Sequence, residues 1–598
     1  MNALEAITKR KFLILALLPF IAFWFTEFAQ YKHLPGPLYG GDLYQQMGIM
    51  MHIYTGNAPW EDSQFQGEWA FRDWMMHFLA EVMAWVLGAV AGVKPIIAFV
   101  YWPLIPMVLG GVAAFGIGRK MFDNDAIAAL LAVAWMGIPS EMGATSSSFG
   151  TIFAVPLFFY ALISLNDSLK SKVLLGVAYG FAGLSYLVAF FGNTLMLALL
   201  FAYRAFGSPK AALHNSSVKV SGIDATGKSF WKQLKFFLPV ALVSAPIVLA
   251  LWGPVLYVYH GDVKNPSHFY GDNARGFNFT QAIGIIQDLF FSTSKGWFWG
   301  VITIASLGGV FAAVRQWDSN GGKWTMLLFA VGMLGTYHYL ITMPLFNNHL
   351  VYYRYPKLFL QLAQLLFFFH GVSYVHSHPR FDSYKKPLLA ATLAVLAVGS
   401  YSIASSALQP GTFSERAKEL DAAKAAKLEA GEWILANTPR EAVFLTLAHQ
   451  SFAVNGLTGR KIVVNRRTHA NTFVDLDKRF ADAAVMIYGE NKEKSLELMD
   501  AYGVQYAYVD HSWDSDLPTA TDPEYAAYWA ENGIEFAEGK LPHDPIGNSL
   551  LFDVIAVENA GLESVGPAFS EEFEAVFTKT DGSGNAIVSV LKRKNASK

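Results

Sequence analysis

The sequence predicts an α-helical polytopic membrane domain of about 11 spans followed by a soluble α/β domain on the outer face of the membrane. Three observations carry this expectation. The chain has 598 residues, 53% of them hydrophobic, with a mean hydropathy of +0.30, which is too apolar for one soluble fold and too long for one domain. Apolar runs recur up to about residue 405, and after it charged residues become frequent and no run is long enough to span a bilayer. Basic residues gather in alternate loops. The expected domains are therefore 1–405, transmembrane, and 406–598, extracytoplasmic.

The first apolar run, 12–28, follows Lys9-Arg10-Lys11 and precedes Gln30-Tyr31-Lys32-His33, which is not a small-x-small cleavage site. It reads as an uncleaved span with a cytoplasmic N-terminus. Further runs lie at 98–117, 126–138, 149–165, 173–188, 191–205, 236–257, 296–314, 325–342, 358–375 and 387–405. With an odd number of spans the C-terminal part lies outside. About 18 basic residues then fall in inner segments against about 8 in the longer outer loops, the bias of a multi-pass cell-membrane protein. Asp123-Asn124-Asp125 falls on the inner side and reads as a helix cap. A very short outer turn is expected near Gly192-Asn193.

The outer loops hold the candidate chemistry. The first, 29–92, contains Gly40-Gly41-Asp42-Leu43-Tyr44; the two glycines allow a tight turn close to a ligand. Its 71–91 part reads as an amphipathic helix at the interface. The second outer turn offers Glu141, the third His260 and Asp262, and the last His349, Tyr353, Arg354 and Lys357, with His338 near the outer end of its span. An Arg fork beside a Lys ammonium suits a phosphate or pyrophosphate; the same pair also suits a snorkelling anchor belt. Asp42 reads either as a solvated loop carboxylate or as a general base. The histidine spacings match no metal motif.

Zero cysteines exclude disulfides, thiolate metal sites and a cysteine nucleophile. A net charge of −2 argues against nucleic acid as a partner. Few ionisable groups lie mid-span, where a transporter is expected to place them. Beyond 405, a helix over 414–435, strands at 442–447 and 461–465, helices at 475–488 and 491–502 and a strand at 504–509 suggest a parallel sheet with crossovers. Phe573 to Leu591 reads as a hairpin around Asp581-Gly582-Ser583-Gly584-Asn585.

Taken together, the N-in first span, the acidic first outer loop, the Arg-bearing last outer loop and the C-terminal α/β domain resemble the GT-C membrane glycosyltransferases, in particular the oligosaccharyltransferase catalytic subunit and its archaeal and bacterial relatives. Gly41-Asp42-Leu43-Tyr44-Gln45-Gln46-Met47 is similar to the family's Asp-aromatic motif after the first span, Gly118-Arg119-Lys120-Met121-Phe122 through Pro139 to its third-span region, and Tyr353-Arg354-Tyr355-Pro356 to its phosphate-binding Arg segment. The resemblance implies transfer of a sugar or glycan from a polyprenyl- or dolichyl-phosphate-linked donor to a glycan, lipid or protein acceptor among the membrane lipids. Asp42 is then the catalytic base, Arg354, Lys357 and His338 hold the donor phosphate, and Tyr44, Glu141, His260, Tyr353 and His349 are further substrate-binding candidates. A divalent cation (Mn²⁺ or Mg²⁺) on Asp42 and Glu141 is the implied cofactor. The chain departs from the pattern in two places. Trp-Trp-Asp-Tyr-Gly is absent from 406–598, and the second outer loop offers only Glu141 where the family has Asp-x-Asp or Glu-x-Asp. A metal-free relative, a flippase of a lipid-linked sugar and a non-catalytic member of a glycan-assembly complex are the competing readings.

Overall fold

A computed structural model describes residues 18, 21–22, 42–70, 75–101, 104–137, 147–185, 187–206, 230–262, 264–265, 297–315, 320–338, 357–388, 390–394, 420–513, 518–520, 522–542, 551–558 and 560–595. They form helices α1 (Asp42–Tyr54), α2 (Met75–Ala91), α3 (Leu104–Phe122), α4 (Asp125–Gly137), α5 (Ser147–Ile163), α6 (Leu169–Ser185), α7 (Leu187–Phe206), α8 (Phe230–Tyr257), α9 (Trp297–Arg315), α10 (Asn320–Tyr337) and α11 (Lys357–Ser377). An α/β segment follows: α12 (Ala422–Asn437), β1 (Val443–Leu445), α13 (Ser451–Thr458), β2 (Lys461–Ile462), α14 (Leu476–Tyr488), α15 (Lys492–Ala501) and β3 (Val504–Asp510). It ends in β4 (Thr519–Ala520), α16 (Glu524–Glu531), β5 (Phe536–Pro542), β6 (Leu551–Val557), α17 (Pro567–Glu572), β7 (Phe573–Thr580) and β8 (Ala586–Arg593).

The chain divides into two compact units. The first comprises 1–30, 101–250 and 277–414, and the second 31–100, 251–276 and 415–598. The division thus differs from a single boundary at 405, because 31–100 and 251–276, expected to be loops, group with the C-terminal segment.

In the first unit, the described residues of the expected apolar runs between 104 and 375 lie in helices except at run ends, while the runs at 12–28 and 387–405 fall largely outside the described residues. Among the described residues, Ile105–Phe122, Ala189–Phe206, Phe230–Tyr257 and Leu358–Ser377 are long and apolar enough to cross a membrane. The Asp123–Asp125 stretch is a cap: Asn124 Oδ1 accepts the N–H groups of Ala126 (3.0 Å) and Ile127 (3.1 Å), and Arg119 pairs with Asp125 at 2.7 Å. The expected turn at Gly192-Asn193 is corrected: both residues lie inside α7. Gly192 serves packing, since a Cβ there would overlap the Phe359 ring of α11. Gly309 of α9 likewise lets the helix approach the Phe367 carbonyl, the close backbone contact that small residues give membrane helices.

In the second unit, the sheet order is β2-β1-β3-β8-β7. β2, β1 and β3 run parallel, but β8 is antiparallel to β3 and pairs with β7 as the expected hairpin. The sheet is therefore mixed rather than wholly parallel, because a hairpin returns its second strand antiparallel whereas parallel neighbours need crossovers. A three-stranded sheet, β4-β6-β5, was not anticipated. The strands carry apolar runs such as Val504–Val509, which bury against α12, α13 and α14 with Phe444, Val485, Tyr508 and Trp513 in one core. Phe65, from the first outer loop, belongs to that same core.

Candidate functional site

The first outer loop enters the second unit at the edge strand of its sheet. Ile462 of β2 donates its N–H to Gln64 O at 2.8 Å, which satisfies a group that an edge strand otherwise leaves open. Asp62, 3% exposed, anchors the loop: its carboxylate accepts the N–H groups of Gln64 (2.8 Å) and Phe65 (3.0 Å) and the amide of Asn471 (2.8 Å). Lys461 donates its ammonium to the Asp62 carbonyl. Burial pushes the Asp62 carboxyl up while Lys461 and these donors pull it down; burial lowers the Lys461 ammonium, and Asp62 opposes that. Glu68 adds Arg479 at 3.4 Å, and the Arg479 guanidinium lies 4.4 Å over the Phe65 ring. The third outer loop joins through Tyr259, which stacks on Phe473 at 5.3 Å and donates to Glu68 Oε2 at 3.0 Å.

This anchor seats α1, the helix that begins at Asp42. α1 lies against α13 through glycines on both sides. A Cβ on Gly48 would overlap Asn455, and one on Gly456 would come within 3.1 Å of the Tyr44 carbonyl. Gly459, with φ of +67°, closes α13 in the left-handed conformation that favours glycine and lies against the His52 backbone. Asn455 donates to Ser63 O at 2.7 Å, and Gln45 and Gln64 both donate to the His469 carbonyl, Gln64 at 2.9 Å.

Of the expected site residues, Asp42 is the first residue of α1. Tyr44 is 2% exposed, its hydroxyl pushed up by burial, so it packs α1 to α13 rather than facing solvent. His260 sits exposed in a turn with φ of +53°. These three belong to the second unit. His338 and Lys357 belong to the first. A Cβ on Gly332 would come within 2.7 Å of Leu360, and one on Gly321 within 2.9 Å of His370, so α10 and α11 run antiparallel. His338 and Lys357 therefore stand at the same end of the pair, with His338 Nδ1 donating to Gly335 O at 2.7 Å. Glu141, His349, Tyr353 and Arg354 lie outside the described residues. Among the described residues no group of three His, Asp or Glu side chains could hold a metal.

His52 makes the seat of α1 sensitive to acid. It is buried, and burial together with the Lys461 charge lowers its imidazole from 6.5 to about 3. Between those values the unfolded chain binds a proton that the native chain does not, so stability is full above pH 6.5 and falls as the pH drops through the window. We expect the melting temperature to decline below pH 6.5 and His52→Gln to flatten that decline. Superimposable profiles for the two proteins would show that His52 carries none of it.

Comparison with known proteins then places the fold. No protein-family model matches the sequence. A stretch of 124 residues, 20% of the chain, is 28% identical to the uncharacterised protein MJ1080 of Methanocaldococcus jannaschii, covering 89% of it. ArnT from Cupriavidus metallidurans superposes with a TM-score of 0.50 at 11% identity, over 94% of this chain and 100% of ArnT. The mycobacterial arabinofuranosyltransferase AftD gives 0.50 at 13% identity, over 98% of this chain and 41% of AftD. The chain has the GT-C fold. The Archaeoglobus fulgidus oligosaccharyltransferase, crystallised with a tethered acceptor peptide, matches at 0.47 and 12% identity over 95% of this chain and 79% of its own. ArnT has also been crystallised with undecaprenyl phosphate.

The Asp62 anchor is the part of this arrangement that sequence reasoning missed. Nothing in the local sequence marks Asp62, since its partners Lys461 and Asn471 lie some four hundred residues away.

Proposed function

We propose that the chain is an integral-membrane glycosyltransferase that moves a sugar from a polyprenyl-phosphate-linked donor to an acceptor at the outer membrane face. The observation that carries this reading is the full-length likeness to ArnT, 94% of one chain on 100% of the other, a protein also solved with a polyprenyl phosphate. In the proposed reaction the Asp42 carboxylate takes the proton of the acceptor hydroxyl as its oxygen attacks the anomeric carbon. The bond from that carbon to the phosphate oxygen breaks, and its electron pair leaves on the phosphate. Arg354, Lys357 and His338 stabilise the charge that grows there. The shared end of α10 and α11 supports a joint role for His338 and Lys357, because a helix N-terminus such as that of α11 favours an anion. Inversion at the anomeric carbon is what the GT-C resemblance implies. The topology proposed has the N-terminus in the cytoplasm and the C-terminal domain, 406–598, outside. Asp42 and Glu141 remain the proposed cation ligands, and no step of this chemistry passes through the cation.

The test is purified protein reconstituted in liposomes with a radiolabelled polyprenyl-phosphate sugar. Loss of label from the lipid into a new glycosidic product supports the transferase. Equilibration of intact labelled lipid between leaflets, with no bond made, would overturn it in favour of a flippase.

A further inference from the structure

We propose that the groove between α9, α11 and the helical residues 385–388 and 390–394 binds an anionic phospholipid, one acyl chain along the groove and the phosphate on Arg315, Arg380 and Lys386. All of these elements belong to the first unit. α9 and α11 run side by side in one direction. Gln364 Nε2 donates to Thr303 Oγ1 at 2.8 Å, and further along both helices a Cβ on Gly371 would come within 3.4 Å of the Gly309 Cα. The two helices therefore end level, at Arg315 and Ser377. The turn Pro379–Tyr384 follows, and the chain then returns to the groove, where Leu388 and Thr392 form its third side. The cavity holds about 500 Å³, lined almost wholly by apolar atoms, a volume ordinary for a ligand site. From Val301 to Ala312 it runs roughly 16 Å along α9 at the helical rise, which suits an extended chain better than a compact solute.

Charge at one end of the groove selects the occupant. Arg315 lays its guanidinium 4.6 Å over the ring of Phe311, which lines one wall. Lys386 stands two residues before Leu388 of the facing wall, and Arg380 lies in the turn between α11 and that wall. All three are exposed, and among the described residues none has an acidic partner. The turn's own carboxylate, Asp382, is taken by Lys385 at 2.6 Å. Basic pockets between membrane helices bind anionic lipid head groups, and a guanidinium fork is matched to their phosphate. The donor phosphate has a different place. Lys357, its proposed partner, begins α11, and the 21 residues of that helix advance roughly 30 Å, the thickness of a hydrocarbon core. The basic end of the groove therefore faces the opposite leaflet, the cytoplasmic one in the proposed topology. A Cβ on Gly308, in the groove wall, would meet open space; that space is the room the acyl chain fills.

The experiment is thermal melting of the full-length protein in a neutral detergent, titrated with phosphatidylglycerol or with phosphatidylcholine of the same acyl chains. Phosphatidylglycerol should raise the melting temperature saturably, and phosphatidylcholine far less. Arg315→Gln combined with Arg380→Gln should raise the half-saturating concentration about thirtyfold, the loss of two charges at a membrane surface. Gly308→Leu fills the groove without meeting the fold, so it should keep the lipid-free melting temperature and abolish the response. The arginine pair is exposed and tests the site even where Gly308→Leu unfolds. Equal responses to the two lipids would reduce the groove to unspecific boundary lipid and overturn the site, as would a wild-type response in either variant. Polyprenyl phosphate that displaces phosphatidylglycerol would show the groove to be the donor's own and overturn it as well. The response needs no sugar donor, so it stands or falls apart from the transferase reading.

Discussion

Replacing Asp42 by Asn should, on the proposed reading, lower sugar transfer by about 10²–10⁴-fold, the usual contribution of a positioned general base, and leave the melting temperature unchanged. The expectation follows from how α1 is held. Its attachment runs through Gly48, Tyr44, Gln45 and His52 against α13 and His469, none of which involves residue 42. An amide of the same size keeps the backbone where it is and cannot accept the acceptor's proton. The measurement is the initial rate of label transfer in liposomes for both proteins, with lipid-donor binding measured alongside. Wild-type turnover by Asp42→Asn would remove Asp42 from the chemistry. A parallel loss of melting temperature would show instead that the residue maintains the fold.

The second large effect concerns Asp62. Removing its carboxylate by Asp62→Ala strips three N–H donors of their acceptor and leaves the Lys461 ammonium buried without the charge that offsets it. Breaking a buried charge arrangement from one side costs about 3–5 kcal/mol, a large part of the stability of an ordinary domain. We expect the second unit of Asp62→Ala to melt well below the wild type and residues 62–69 to become cleavable by protease. The double variant Asp62→Leu with Lys461→Met should recover much of the loss, because apolar partners bury no charge. A double variant as unstable as the single one would show that the three N–H donors, not the Lys461 charge, carry the loss; a single variant that melts with the wild type would show that Phe65 and the Gln64 backbone pairing hold the loop.

Local chemistry decided which parts of the structure could be read from the sequence. The β7–β8 turn was legible because its signal is self-contained: Asp581 Oδ1 accepts the N–H groups of Ser583 (2.8 Å) and Asn585 (2.9 Å), and Gly584 takes φ of +87°. The cap at Asn124 was legible for the same reason. Gly192 misled, since a glycine that admits the Phe359 ring looks the same in sequence as one that turns the chain. The partners of Asp62 and Tyr44 could not be read at all, because a buried carboxylate or tyrosine is defined by residues from the far end of the chain. Of the candidate site, the helix that begins at Asp42 reads as a loop in sequence because no apolar run marks it, whereas the runs at 325–342 and 358–375 already put His338 and Lys357 near facing helix ends.

The hydrogen bond between Gln64 and Ile462 has a consequence in time. The segment carrying Asp42 leaves the ribosome about 400 residues ahead of the strand it will cover, an interval on the order of 20–80 s at ordinary rates of synthesis. During that interval α1 has no α13 to rest on and Phe65 has no core to enter. The helix that begins at Asp42 therefore gains its partner α13 late, although it is made among the first. On the proposed reading, the chemistry of Asp42 then waits until the strand that pairs with Gln64 has been made.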